Sequence, residues 1–356
     1  MTRTGAVSID GSYGEGGGQI LRTALALSAL TERPSHIENV RSGRRNPGLR
    51  PQHLSAVRAL AMLCDANVEG DRLGSQVVDF VPQRAVEGGQ HTFDISELAG
   101  QSSAGSVTLL LQALFLPLAF SQEDSELVLV GGTHVRWSPP YQYLAHVYRP
   151  FVESLGFGLD LELRTWGWYP RGGGKIVARI KGLGSKPEEL APQHVKARGE
   201  LREVLGISAA SNLPRHIIER QRERALAYFR SRHIKPDIDL VEAPSPGKGT
   251  VLFLLAQYEH VNAGFTGYGR VRYPAEEVAD DATNEFEAYR TNAGALDPYL
   301  ADQVLLPLAL VPGGCSYTTS RVTQHLLTMA WLVEHFLDCH VTVTGKEGEP
   351  GSVEVR

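Results

Sequence analysis

Cysteine is scarce in this chain. Cys64, Cys315 and Cys339 are the only three in 356 residues, and no two are spaced as C-x-x-C. Neither a disulfide framework nor a thiolate zinc site is indicated. Long apolar runs are also missing. The longest, Val107–Phe120, is interrupted by Gln112 and Pro117 and is too short to span a bilayer. No apolar run of signal-peptide type stands at the N-terminus, so a reducing cytoplasm and no membrane are the expectation. There is no basic excess. Thirty-five Lys and Arg against 40 Asp and Glu leave a net charge of −5, which argues against binding nucleic acid by bulk charge but leaves a local basic patch open. Several catalytic signatures are absent as well. G-x-x-x-x-G-K-[ST], G-x-S-x-G and H-E-x-x-H do not occur, and residues 14–19 fail G-x-G-x-x-G at its last position. A P-loop enzyme and a Rossmann fold are thereby disfavoured. What remains is an ordinary globular composition, 42% hydrophobic and 21% charged, long enough for two domains or one large and one small.

The most informative stretch is Gly14–Arg22, GEGGGQILR. An alternating run, Ala6–Asp10, precedes it, and an Ala/Leu-rich run with helical spacing, Gln19–Leu30, follows. Three consecutive glycines let the backbone take positive φ and let a ligand approach it closely. The turn then presents a helix N-terminus, whose free N–H groups attract anions. Glu15 in such a turn implies a bridging divalent metal, because a bare carboxylate would repel a phosphate. The same pattern also serves as a plain strand–turn–helix joint.

An internal repeat organises the chain. QHLSAVRALAMLCDANVEG from Gln52, QYLAHVYRPFVESLGFGLDLEL from Gln142 and QHLLTMAWLVEHFLDCHVTVTG from Gln324 share Gln, an aromatic ring and Leu, then an amphipathic helix, then an alternating run. Each is preceded by another apolar helix: Gln19–Leu30, Gly105–Phe120 and Tyr299–Leu310. Between the two helices lie strand candidates Ser35–Val40, Glu126–Val130 and Cys315–Thr319, and each unit closes with strands such as Gln76–Val81, Lys175–Ile180 and Val353–Arg356. One such unit cannot bury both helices and a sheet face, whereas three can share a core. Residues 186–273 differ in texture. They carry a helix, Pro214–Arg230, and strands Ile238–Val241 and Val251–Tyr258, and read as a small inserted α/β domain. The expected organisation is an α/β (α+β) chain with a three-repeat domain, 1–185 and 274–356, around an insertion at 186–273, the helix Ala275–Arg290 returning to the main domain.

The candidate chemistry clusters in a few places. VRSGRRNPGLRPQH, Val40–His53, holds Arg41, Arg44, Arg45 and Arg50 with no acid, either a phosphate site or a solubilising loop. His53 and His325 occupy equivalent repeat positions, with Tyr143 in the second unit. A neutral imidazole can attack phosphorus, bind a metal or phosphate, or simply cap a helix, and the repeat does not say which histidine is the nucleophile. Asp302 opens a helix, where a carboxylate is favoured, and Gln112 inside an apolar helix needs a core partner or a ligand.

Assembled, these residues resemble the RNA 3′-terminal phosphate cyclases. The likeness rests on DGSYGEGGGQILR (10–22), VRSGRRNPGLRPQHL (40–54), GGTHVRWSPP (131–140), YPRGGGKI (169–176), YLADQ (299–303) and QHLLT (324–328), in the right order over nearly the whole chain. It implies three repeats like the C-terminal domain of translation initiation factor 3, two helices on a four-stranded sheet each, plus a small inserted domain. It also implies a reaction. ATP and Mg2+ or Mn2+ adenylylate a histidine, AMP passes to an RNA 3′-phosphate, and the 2′-hydroxyl displaces it to leave a 2′,3′-cyclic phosphate. On this likeness His325 is the nucleophile and Glu15 the metal ligand. Gln112 and Tyr299, Leu300, Ala301, Asp302 and Gln303 line the ATP site, and Arg22, Arg41, Arg44 and His53 hold phosphates or the RNA end. Activity is expected to fall below about pH 6.5, the free imidazole range, unless the site shifts it. Met329 departs from the often polar residue of the family pattern. A non-catalytic cyclase-like protein of RNA processing is the alternative, against which His325 stands; an enolpyruvyl transferase ranks lower. A pure RNA-binding module is disfavoured by the acidic total and by the lack of a visible aromatic-basic stripe.

Overall fold

The computed structural model describes residues 5–184 and 187–356. The sequence-based boundary at 185/186 falls on residues outside those described. In the first unit, β1 (Val7–Asp10) leads through the glycine turn to α1 (Gly18–Thr31), then β2 (Ser35–Glu38), α2 (Pro51–Cys64), β3 (Asn67–Glu69) and β4 (Val78–Val81). The sheet order is β1-β2-β4-β3, with β1 parallel to β2 and the other pairs antiparallel.

The second unit repeats this order. It runs β5 (Gly89–Asp94), a short α3 (Ile95–Ala99), α4 (Val107–Ala119) and β6 (Ser125–Gly131). Then α5 (Tyr141–Tyr143) continues through a π-helical turn at Leu144–Tyr148 into α6 (Arg149–Ser154), followed by β7 (Leu159–Thr165) and β8 (Gly174–Ile180). Its sheet, β5-β6-β8-β7, has the same senses of pairing.

The third unit begins with β9 (His194–Val195) and is then interrupted. The interruption is a different unit: β10 (Leu201–Ser211), α7 (His216–Arg230), β11 (Asp237–Glu242), β12 (Gly249–Tyr258), β13 (Asn262–Tyr268) and α8 (Ala275–Thr291), with sheet order β11-β10-β12-β13. The third unit resumes with α9 (Pro298–Gln303), α10 (Leu305–Ala309), β14 (Cys315–Thr319), α11 (Gln324–Phe336), β15 (Val341–Thr344) and β16 (Gly351–Val355). Its sheet, β9-β14-β16-β15, matches the first two only because β9 pairs in parallel with Ser316 and Tyr317 of β14.

Three details depart from the sequence expectation. Residues 194–195 complete the third sheet and are not part of the insertion. The helix Ala275–Thr291 packs on β12 and β13 and along α7, where Arg220 meets Glu276 and Arg224 meets Asp280, so it covers the inserted sheet. The run Tyr299–Leu310 is two helices and not one. The helix breaks at Val304, three residues before Pro307, whose ring removes a backbone donor.

One hydrophobic core runs through all four units, including Ile9, Leu25, Leu114, Phe286, Leu300 and Leu332. At its centre lies α1, packed against α2, α4 and α11 and so touching a helix of every repeat. Its alanines at 24, 26 and 29, all buried, let neighbouring helices close in. Among the described residues no helix is long and apolar enough to cross a membrane.

Candidate active site

The site is built around the start of α1. Gly14 and Gly16 have φ of 56° and 59°, a region that favours glycine. Gly14 lies against Thr328 and Gln324 of α11, and a Cβ at Gly18 would run into the His53 ring and the Arg22 guanidinium. The glycines therefore bring α1, α2 and α11 together at their N-termini. Gly17 caps α1 without a side-chain hydrogen bond. The first amides of α1 are left without a side-chain cap, as an anion-binding helix start requires.

Gln19 is the hub. Its Nε2 donates to Asp302 Oδ2 at 2.9 Å, and its Oε1 faces His325 Nδ1 at 2.7 Å. With Asp302 ionised, the amide N–H is committed to the carboxylate, so Oε1 accepts and Nδ1 of His325 carries the proton. The Nε2 lone pair of His325 is then free. His325 is exposed, yet its pKa lies below 6.5. Loss of water around the inner part of the ring is the main cause, and Arg22 and Arg44 add to it. The acid limit expected from a free imidazole thus moves down.

His53 differs. It is buried, its Nδ1 accepts from the Arg50 N–H at 3.2 Å, and its pKa is pushed down to about 3 by burial, then by Arg22, Arg41 and Arg50. It is a neutral donor through Nε2–H, aimed at Gly18. Burial draws Arg22 down to about 10, with Asp302 opposing. Burial also lifts the Asp302 carboxyl to about 7, against the Gln19 donation.

The other expected residues divide. Arg44 pairs with the Glu15 carboxylate and donates to the Glu15 carbonyl at 3.1 Å, while the Glu15 N–H reaches Thr328 Oγ1 at 3.3 Å. Arg41, at φ 53°, holds its own loop by donating to the Asn46 and Gly48 carbonyls, both at 2.8 Å. Gln112 Nε2 donates to Gln303 Oε1 at 2.6 Å, which joins α4 to α9. Tyr299 is partly exposed and donates to Glu285 at 2.7 Å. The Leu300 and Ala301 side chains face the core. Both are fully buried, because alternate faces of α9 serve the core and the site. Met329 is buried and accepts from Thr23 Oγ1 at 3.5 Å.

Residue-by-residue reading missed Gln19, Thr328 and Asp297. The first two lie inside motifs already singled out, GEGGGQILR and QHLLT. Asp297 is fully buried, caps α9 through the Tyr299 and Leu300 N–H groups and accepts from Tyr143. Burial raises it to about 6. Tyr143, the repeat counterpart of the two histidines, is thus a structural strut.

Comparison with known proteins gives the family. A family model described as RNA 3′-terminal phosphate cyclase matches residues 13–343. RNA 3′-terminal phosphate cyclases from Gloeothece citriformis and Methylococcus capsulatus are 41% and 43% identical, over 93% and 98% of this chain and 93% and 95% of theirs. One from Methanopyrus kandleri is 42% identical over 98% of both chains. A solved enolpyruvyl transferase from Streptomyces tendae covers 51% of this chain and 33% of its own at 14% identity, with a TM-score of 0.27, too low to bear on the fold. A model match from residue 13 to 343, and relatives sharing two residues in five along almost their full length, place this chain in the RNA 3′-terminal phosphate cyclase family.

Proposed function

We propose that the chain converts an RNA 3′-phosphate to a 2′,3′-cyclic phosphate at the expense of ATP, through adenylyl-His325. The observation that carries this is the Asp302–Gln19–His325 chain, which leaves Nε2 of His325 unprotonated. Nε2 attacks the α-phosphorus of ATP, the N–P bond forms and pyrophosphate leaves. Nδ1 keeps its proton, held on Gln19, so the adenylate has imidazolium character and departs readily. An RNA 3′-phosphate oxygen then takes the adenylyl group and frees the ring. The neighbouring 2′-hydroxyl attacks the 3′-phosphorus, its proton is lost, and AMP leaves. A 3′-phosphate oxygen is a poor leaving group, and the anhydride supplies a good one.

Arg22, Arg44 and the neutral His53 hold the phosphates; Gln112, Gln303 and Tyr299 border the nucleotide. Arg41 acts by shaping the loop that carries Arg44. Among the described residues no group of three or more His, Cys, Asp or Glu could hold a metal by itself. Mg2+ or Mn2+ fits all the same, because such an ion can take one carboxylate and draw its other oxygens from phosphates and water. Glu15 would supply that carboxylate on releasing Arg44. The metal would offset phosphate charge.

The catalytic body is then the three like-ordered units, which we relate to the C-terminal domain of translation initiation factor 3, and the insertion is the fourth unit, from β10 to α8. With three free cysteines, a reducing cytoplasm suits the chain. The test is incubation with α-labelled ATP and Mg2+ followed by denaturing electrophoresis and peptide mapping. An acid-labile label on the His325 peptide is expected. No label on the folded wild type would sink the reading and favour the non-catalytic alternative.

A further inference from the structure

Four loops outside the glycine turn come together. They follow β6, β7, β11 and β13: residues 131–140, 166–173, 243–248 and 269–274. Contacts between them are direct. Trp166 N–H donates to the Pro244 carbonyl at 3.0 Å, Gly173 lies against Pro246, Gly247 lies against Arg171, and Tyr268, which ends β13 just before the fourth loop, reaches the Ser138 carbonyl through its OH at 3.5 Å. None of the four contains an acidic residue. Together they expose Arg136, Arg171, Lys248, Arg270 and Arg272. None of these five makes an ion pair with an acid among the described residues, in a chain whose net charge is −5.

Two large rings stand among these cations. Trp137 is 89% exposed and Tyr169 77%. The Arg136 guanidinium lies 5.0 Å from the centre of the Trp137 ring. Trp137 is held at φ 67°, a conformation that a bulky residue seldom adopts. The base beneath is rigid. His134 is buried, stacks on Trp166 at 4.0 Å and bonds Thr133 and Gln142, and Trp168 Nε1 donates to Ser211 Oγ at 2.8 Å. Exposed rings on a fixed base are costly unless something covers them, and outliers of this kind collect at functional positions.

The face is tied to the active site. Thr108 Oγ1 donates to the Pro139 carbonyl at 2.8 Å, meets Ser106 Oγ at 2.6 Å, and Ser106 N–H reaches Gln52 Oε1 at 3.4 Å, next to His53. In the repeat, residues 131–140 also occupy the place that the arginine loop 39–50 holds in the first unit, between the second strand and the second helix.

We propose that this face is a platform for single-stranded RNA upstream of the reacting 3′ end, with bases on Trp137 and Tyr169 and phosphates on the arginines. It rests on the reading of an RNA 3′ end at His325. Flat rings separated by unpaired cations suit unpaired bases and a polyanionic backbone. A protein partner would instead call for a contiguous apolar patch. The aromatic-basic surface that the sequence did not reveal is thus assembled from four separate loops.

The test uses Trp137→Ala, Tyr169→Ala and the double variant, with melting temperature as a folding control. The substrates are a 3′-phosphorylated dinucleotide and a 3′-phosphorylated twelve-mer. The KM for the twelve-mer should rise roughly tenfold or more in the double variant. RNA-free adenylylation and the dinucleotide KM should stay as in wild type. Fluorescence polarisation with a twelve-mer lacking the phosphate should weaken in parallel, and this readout survives even if His325 carries no adenylate. Arg136→Gln with Arg171→Gln should flatten the salt dependence of that binding, by roughly 0.7 in slope for each phosphate no longer neutralised. Unchanged twelve-mer binding, or equal loss for both substrates, would overturn the platform and assign the rings to a protein partner or to the catalytic cleft.

Discussion

Replacing Gln19 by Leu removes both bonds of the hub while keeping a side chain of similar size. The bond to the Asp302 carboxylate is 2.9 Å and that to His325 Nδ1 is 2.7 Å. A bond to a charged group contributes about 1.5–3 kcal/mol, and a neutral one about 1 kcal/mol. Only the part that fixes the His325 tautomer and ring orientation enters the rate. Allowing about 2–3 kcal/mol for it, adenylylation should slow roughly 30- to 150-fold. The remaining neutral ring can still present Nε2 part of the time, so the variant should not fall to the level of His325→Ala. The assay is single-turnover labelling with α-labelled ATP at saturating Mg2+, where product release plays no part. Gln19→Leu labelling within twofold of wild type would refute the orienting role. Labelling as low as in His325→Ala would also refute it, because Gln19 would then be doing more than holding a tautomer.

The remaining predictions concern charge, space and metal. Burial raises the Asp302 carboxyl from 3.8 to about 7 and Asp297 to about 6, so the folded protein keeps protons that the unfolded chain has released, and their effect is to lower stability as pH rises from about 4 to 7. Asp302→Asn should therefore raise the ligand-free melting temperature at pH 8 relative to pH 5 while slowing labelling; an equal change at both pH values would count against this. His53 should stay neutral, its ring 15N shifts flat from pH 8 to 4, since its pKa is pushed down to about 3. His53→Ala should keep the covalent adenylate and lose at least about tenfold in kcat/KM for RNA, about the worth of one hydrogen bond to a charged group; loss of all labelling would overturn the assignment. Gly18→Ala should cost about 1–3 kcal/mol by overpacking and slow labelling, because the added methyl meets the Arg22 guanidinium as well as the His53 ring. Arg44→Gln should lower the Mg2+ concentration that half-saturates labelling by freeing Glu15; an unchanged requirement would remove Glu15 as the ligand.

Much of this was legible from the chain because local signals and packing agree. The glycine turn needs positive φ, and α1 follows where its Ala/Leu spacing puts it. The repeated Gln-His-Leu and Gln-Tyr-Leu starts mark the second helix of each unit. Other features are set by tertiary contact and leave no local trace. Two residues, His194 and Val195, are too short a run to read as a strand, and only pairing with β14 makes them one. The helix Ala275–Thr291 is amphipathic either way, and its sequence does not say which sheet it covers. Leu300 and Ala301 sit inside a site motif yet face the core, since successive residues of a helix point about 100° apart. Trp137, Tyr169 and their cations lie far apart in the chain and become a surface only through the topology.

The interruption of the third unit sets a timetable for synthesis. His194 and Ser316, neighbours across β9 and β14, are 122 residues apart in sequence. As the ribosome releases the chain, β9 emerges with nothing to pair with, and the entire fourth unit is made before β14 arrives. The helix that carries His325 emerges later still. The first unit, with Gln19 and His53, is made early, and α11 with His325 follows every other element except β15 and β16. On the role proposed for His325, an unfinished chain therefore holds the glycine turn without the group that would take a nucleotide from ATP, and labelling is expected only from the full polypeptide.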